Sequence, residues 1–367
     1  MANQTGTLVA AGLGLVVMAF VLSWLFGHLA RRYALRLGFL DRPGGHKGHK
    51  APVPLGGGVA IWLSIMLTLG VCGLCTFAAR DALPSALARH AGGALATSWE
   101  LLRILALATV IMIMGLIDDR VNLKWPIRLG IQILCATLLV ASGIRVTLFW
   151  PFTHPILGGA VTVLWIVGLT NSFNMLDNMD GLAASVGLIA ALLFGAAQAA
   201  VGSLFAPAVL LIVVGALGGF LVHNLAPARL YMGDAGSNFL GFLLGAMTVV
   251  GTYHISGFDS PFSVLAPLLV MAVPLYDTTS VILIRLHEGR SPFEGDQRHL
   301  SHRLVDRGLT RPQAVWTIDL ITLACGLGAL LLHRLDGQGA CVVVAQTACL
   351  LGVVAILEVA QGRTDPG

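Results

Sequence analysis

Polar clusters interrupt an otherwise apolar chain where carboxylates, carboxamides and imidazoles recur at short spacing. In NSFNMLDNMDGLAA (171–184), Asn171, Asn174, Asp177 and Asp180 stand three residues apart, so on a helical or nearly helical segment all four fall on one broad stripe. Carboxylate and carboxamide oxygens suit Mg²⁺, which keeps several waters and takes much of its remaining coordination from substrate phosphates. Asp180 alone could be the N-cap of the next helix. Capping explains one residue of the four.

Three further clusters carry related chemistry. In GLIDDRVNLKWPIRLGIQ, Asp118 and Asp119 end an apolar run and Arg120, Lys124 and Arg128 follow. Adjacent helical side chains diverge by about 100°, so one acid can face a substrate while the other meets a base or a metal. The structural alternative is two loop acids paired with loop bases. In YMGDAGSNFLG, Gly233 and Gly236 let a ligand approach the backbone, and Ser237 or Asn238 would cap the following helix. A helix start behind glycine favours phosphate, but Asp234 would repel it unless a cation stood between them, which points to metal plus diphosphate. In RSPFEGDQRHLSHRLVDRG, His299 and His302 are flanked by Arg298 and Arg303. Two histidines at this spacing could bind zinc, yet the arginines oppose a second cation and favour a phosphate or sugar clamp; a solvated basic loop is the plain alternative.

The elements that must position these clusters are membrane helices. Of 367 residues, 56% are hydrophobic and 11% charged, against about 25% charged in soluble domains. Apolar segments at 7–29, 55–77, 101–117, 127–141, 156–171, 182–202, 206–226, 238–254, 263–285, 312–332 and 340–360 approach or reach the length of a spanning helix. The expected fold is an all-α polytopic helical bundle of 10 to 11 transmembrane helices, forming one catalytic domain over 1–367. Pro267 and Pro274 predict a kink or break in the ninth span.

Lys and Arg number 17 on one side of this map and 5 on the other, which puts the N-terminus in the periplasm and the C-terminus in the cytoplasm. The polar loops at 30–54, 118–128, 171–181, 227–237 and 287–311 then all face the cytoplasm, where they can build one interfacial site. The net charge of +4 is spread over these loops, which argues against nucleic-acid binding. Cys72 and Cys75 form an isolated C-x-x-C inside a span and are read as packing residues.

These clusters, in this order, resemble the polyprenyl-phosphate N-acetylhexosamine-1-phosphate transferases. The matching stretches are DRPGGHKGHKAPVPLGGG (41–58), DDRVNLKWPIRLGIQ (118–132), NSFNMLDNMDGLA (171–183), YMGDAGSNFLG (231–241) and DQRHLSHRL (296–304). The resemblance implies transfer of a sugar-1-phosphate, N-acetylglucosamine being favoured, from a UDP-N-acetylhexosamine to undecaprenyl phosphate. UMP is released and a lipid-linked diphosphate sugar is formed at the cytoplasmic face of the inner membrane, for cell-envelope polysaccharide.

It further implies that Asp234 binds Mg²⁺ with help from Asn174, and that Mn²⁺ could replace it. Asp118, with Asp119 beside it, would stand at the lipid-phosphate end. Asp177 and Asp180 would shape the nucleotide pocket, with Asn171 on the same stripe, and the loop bearing His299, His302 and Arg303 would read the sugar and its phosphate. Lys124, Arg128, Lys47 and His49 would hold the lipid phosphate. Direct attack by that phosphate is preferred to a covalent intermediate on Asp118. The assembly could be a homodimer.

The chain departs from the family pattern at His299-Leu300-Ser301-His302, where many relatives read H-x-H-H, and at His46-Lys47-Gly48-His49, where relatives often carry Arg-Lys before the histidine. Both departures bear on the sugar more than on the reaction. A cation-coupled transporter, the alternative, would place its acids near mid-span on discontinuous helices with some internal repeat. A CDP-alcohol phosphotransferase would need an Arg soon after Asp180-Gly181 and further regularly spaced acids, and neither is present.

Overall fold

The computed structural model describes residues 2–41, 52–78, 85–146, 154–251, 261–292 and 298–359. Helix α1 (Ala2–Leu37) leads into two short strands, β1 (Leu40–Asp41) and β2 (Val53–Pro54), which pair antiparallel, and then α2 (Gly57–Ala78). There follow α3 (Ser85–Val121), α4 (Trp125–Ala141), α5 (Pro155–Leu176), α6 (Leu182–Ala200), α7 (Phe205–Asn224) and α8 (Gly233–Val250). The chain continues through α9 (Ala266–Val270), α10 (Ala272–His287), α11 (Leu300–Asp306), α12 (Arg311–Ala329) and α13 (Gly337–Val359).

Among the described residues, all eleven segments expected to span are largely helical. Among the described residues, eight helices (α1–α3, α5–α7, α12 and α13) are long and apolar enough to cross a bilayer, and α4 is shorter. Their outward faces carry Val9, Leu13 and Val17 on α1 and Val353, Ile356 and Leu357 on α13, all exposed. Such surfaces are ordinary where lipid is the solvent.

The ninth expected span is broken, as its prolines suggested. Its halves meet at Met271 with a bend of 61°. Pro267 and Pro274 each lie in the first turn of a half, where a missing N–H leaves no helical hydrogen bond unmade. The break shortens α10, so its second turn carries Asp277 into the protein interior.

Helix α8 is the hub. It is buried from Ala235 to Thr248 and packs on α2, α3 and α5. Close approach is possible because small residues face one another: a Cβ at Gly58 would fall on the Gly236 backbone, and one at Gly115 on the Asp234 carbonyl. Gly115→Ala is therefore expected to lower the apparent Tm in detergent, at a cost of about 1–3 kcal/mol for overpacking, and to shift Asp234. Gly130→Ala, which meets nothing within 4 Å, is the matched control and should leave the Tm unchanged or slightly raised.

The β1–β2 pair closes the base of the α1–α2 loop. Pro54 O accepts the Tyr231 N–H at 2.9 Å, and Gly57 and Gly58 donate to the carbonyls of Tyr231 and Met232, each at 2.9 Å. The base of that loop is thus fastened to the GDAGS segment. Lys47 and His49 lie outside the described residues.

Candidate active site: an acidic centre at one end of the bundle

Asp118 and Asp119 end α3 and part company, as their helical divergence requires. Asp118, 3% exposed, accepts the Leu123 N–H on Oδ1 at 2.6 Å and pairs through Oδ2 with Arg128 Nη1 at 2.8 Å. The turn into α4 runs through Asn122 in the left-handed region, φ 51°, which brings the Leu123 amide back to the acid. Lys124, at the N-cap of α4, is exposed.

Asp119 takes the N-terminus of α8 instead. Its two oxygens accept the N–H groups of Asp234 (2.8 Å) and Ala235 (3.2 Å). Gly233, at φ +71°, is required here twice over, since a Cβ would also lie 2.6 Å from Asp119 Oδ2. The expectation that Ser237 or Asn238 caps this helix is corrected: α8 begins at Gly233, five residues earlier than a Ser237 cap would place it. Both side chains lie inside the helix, Ser237 Oγ bonding to Gly233 O and Asn238 Nδ2 to Asp234 O. A carboxylate from another helix supplies the negative charge that the helix start favours.

The Asp234 side chain is met from two other helices. Asn174 Nδ2 donates to Asp234 Oδ1 at 2.7 Å and to Ser237 Oγ at 3.1 Å, and Arg128 Nη1 stands 3.8 Å from Asp234 Oδ2. Arg128 is thereby shared between Asp118 and Asp234. Asn171 lies a turn deeper and donates to Gln132 Oε1 (2.7 Å), while Gln132 Nε2 donates to Asn238 Oδ1 (2.9 Å). These amides bind α5, α4 and α8 together beneath the acids.

The single stripe expected for Asn171, Asn174, Asp177 and Asp180 is not continuous. Helix α5 ends at Leu176, Asp177 is its C-cap, and the chain reverses through Gly181 at φ +83°. Asp180 is no N-cap: its Oδ2 accepts the Ala228 N–H at 2.9 Å, and Gly181 N–H is held by Asn224 Oδ1 at 3.0 Å. The turn is thus tied to the 224–230 loop. Burial, and then the carboxylates of Asp119, Asp180 and Asp41, push the Asp177 pKa up to about 7.

A carboxyl raised on folding costs nothing while it is protonated in both states, below about pH 4. The cost grows as pH rises toward 7 and is constant above that. In metal-free protein, Asp177→Asn should therefore raise the apparent Tm over wild type by an increment that widens from pH 5 to 7 and then levels. Parallel Tm profiles from pH 5 to 8 would contradict it.

The histidine loop docks on α10 through a residue that no motif announced. Asp277, 1% exposed, receives His299 Nδ1 at 3.0 Å and the Leu300 N–H at 2.5 Å, and Arg303 Nη2 stands 3.8 Å away. An Asp inside an apolar run beside Pro274 gave one signal, its cost at membrane depth. Ser301 Oγ donates to Asn178 Oδ1 at 2.5 Å, which joins α11 to the turn carrying Asp177 and Asp180. Arg303 also reaches Ser280 Oγ (2.7 Å) and Glu358 (3.5 Å), and Tyr276 donates to Glu358 at 3.0 Å. His302 stays near His299, ring centroids 6.5 Å apart; burial and then His299 and Arg311 lower its pKa. Asp277 and the arginines favour hydrogen-bonded imidazole here over a two-histidine zinc site.

An apolar groove of about 760 Å³ runs beside the acids between α1, α2 and α3, with Tyr33, Leu63, Ile117 and Arg120 in its lining. Arg120 lies over the Phe39 ring at 5.3 Å. Fold and geometry together describe a polytopic membrane protein with a shared acidic centre at one end of its helices, beside a lipid-accessible groove.

Comparison with known proteins gives the same class a family. The description Glycosyl transferase family 4 matches residues 101–252. The chain is 32% identical over 374 residues to a decaprenyl-phosphate N-acetylglucosaminephosphotransferase of Mycolicibacterium smegmatis, covering 94% of this chain and 84% of that one. It is 28% identical to a probable undecaprenyl-phosphate N-acetylglucosaminyl 1-phosphate transferase of Bacillus subtilis (86% and 85% covered). It is 27% identical to the undecaprenyl-phosphate alpha-N-acetylglucosaminyl 1-phosphate transferase of Escherichia coli (85% and 80%). The chain belongs to the polyprenyl-phosphate N-acetylhexosamine-1-phosphate transferase family. The transporter alternative finds no support among these relatives.

Proposed function

We propose that this chain transfers N-acetylglucosamine-1-phosphate from its UDP ester to a polyprenyl phosphate, undecaprenyl phosphate in the first instance, with release of UMP. The reaction takes place at the cytoplasmic face of the inner membrane, the side the Lys and Arg distribution favours. The observation that carries the reading is the convergence of Asp118, Arg128, Asn174 and Asp234 from α3, α4, α5 and α8.

The donor set fits Mg²⁺. Among the described residues no three His, Cys, Asp or Glu side chains gather into a metal cage, and Mg²⁺ needs only one or two carboxylates when a diphosphate supplies the rest. Asp234 and Asn174 would hold it, with Mn²⁺ a substitute. When bound, such an ion would supply positive charge to offset that of the diphosphate and of the UMP leaving group.

The chain's own residues do the remaining work. Lys124 and Arg128 bind the lipid phosphate, whose isoprenoid chain lies along the bilayer-facing surface near the Arg120 groove. Asp118 orients Arg128 toward that phosphate. Asp119 fixes the first turn of α8, and with it Asp234. The 177–181 turn holds the nucleotide, and the histidine loop holds the sugar and its phosphate. A phosphate monoester with a second pKa of about 6 needs no base near neutral pH. Its oxygen attacks the sugar-bearing phosphorus, a P–O bond forms, the bond to UMP breaks, and UMP leaves with the electron pair. Asp118 is buried with both oxygens engaged, which favours this direct attack over a nucleophilic role.

The test is UMP release by the purified full-length chain in detergent, with UDP-N-acetylglucosamine, undecaprenyl phosphate and Mg²⁺. Release that depends on all three supports the reading. Release independent of the lipid phosphate would overturn it.

A further inference from the structure

A buried carboxylate must be supplied with donors, and Asp277 draws all of those named here from one short segment, His299 to Arg303. Docking α11 needs only Oδ1, which takes the Leu300 amide. The second oxygen faces an imidazole that is itself only 6% exposed. A carboxylate accepts and cannot donate, so the Nδ1 of His299 must carry the proton. The ring nitrogen left for any other partner is then Nε2. Ser301, bonded to Asn178, fixes the same turn of helix against the segment bearing Asp177 and Asp180.

We propose that Asp277 is a positioning residue for the transfer: it holds His299 as the Nδ1-protonated form, so that Nε2 is the nitrogen presented to the sugar-phosphate part of the donor. This rests on the function proposed above. Neutral His299 offers Nε2 as an acceptor to a sugar hydroxyl. As imidazolium, with Asp277 balancing its charge, it donates to a phosphate oxygen. The arrangement follows the general logic by which an outer carboxylate fixes the tautomer of a working histidine.

Asp277→Asn is the informative substitution. Its carboxamide oxygen can still accept the Leu300 N–H, but its NH₂ must then meet Nδ1 and force the proton to Nε2. The expected result is a fall in kcat of about 10- to 100-fold, by analogy with the loss seen when the outer partner of a metal-bound histidine is removed. The KM for the lipid phosphate and the apparent Tm should stay near wild type, and Asp277→Glu should recover part of kcat. In a His299→Ala background, Asp277→Asn should cost nothing further. Losses that multiply in the double variant, or a lowered Tm with wild-type kcat, would reduce Asp277 to a docking contact and overturn the proposal.

A readout without turnover separates this from the function itself. In protein labelled with ¹⁵N-histidine, the imidazole signal that disappears in His299→Ala should report a protonated Nδ1 in wild type and a protonated Nε2 in Asp277→Asn. A wild-type His299 protonated on Nε2 alone overturns the proposal even if Asp277→Asn does not fold. An inactive wild type with the expected tautomer would instead sink only the assigned reaction.

Discussion

Asp234→Ala is expected to lower kcat/KM for UMP release by about 10³-fold, the upper end of what loss of one electrostatic stabiliser costs. The reason is concentration of function. Asp234 meets Asn174 at 2.7 Å and Arg128 at 3.8 Å, so two other helices aim their polar groups at this carboxylate. Removing it leaves the guanidinium and the carboxamide without their common partner, and would leave the diphosphate without the proposed cation site. The backbone should hold, because the contacts of α8 to Asp119 run through main-chain N–H groups. The check is initial-rate kinetics over a range of Mg²⁺ concentrations, beside an apparent Tm. Activity within tenfold of wild type at matched Mg²⁺ would show that the centre lies elsewhere.

Asp118→Asn is expected to have the second largest effect, by a different route. In the native site Arg128 is divided between a close acid, Asp118 at 2.8 Å, and a more distant one, Asp234 at 3.8 Å. Neutralising the close acid removes the charge that holds the guanidinium off. Arg128 would then move onto Asp234 and compete with the proposed cation. A loss of about 10²-fold in kcat is expected, together with a rise in the Mg²⁺ concentration for half-maximal rate. Arg128→Gln added to Asp118→Asn should bring that concentration back toward the wild-type value while leaving the lipid phosphate poorly bound. If Asp118→Asn lowers the rate with an unchanged Mg²⁺ requirement, Arg128 is not the mediator.

The positions of the helices could be read in the sequence because the requirement is crude: enough apolar length, with turns between. The break near Pro267 and Pro274 was legible for an equally local reason. What stayed hidden was relational. Ser237 looked like a cap because a hydroxyl before an apolar run usually is one; the true cap comes from Asp119, more than a hundred residues away. The three-residue interval suggested one stripe, yet the chain has to reverse after Leu176, so Asp177 and Asp180 leave the helix on which Asn171 and Asn174 sit. Asn171 itself bonds to Gln132, the last residue of the 118–132 stretch, to which its motif assigned no role. Asp277 had no patterned neighbours, and its partners lie across a loop. Spacing reports what one element can present, while pairing between elements needs the packed bundle.

The near-contact of backbones around α8 has a mechanical outcome. Where Gly58 lies on Gly236 and Gly115 on the Asp234 carbonyl, no side chain is available to repack and absorb a displacement. The carboxylate end of α8 is therefore an anvil, rigid against both flanking helices. On the proposed function, reactants would be admitted by whatever surrounds it, and a change of donor sugar could be written into those surroundings without retuning the part on which the phosphorus is struck.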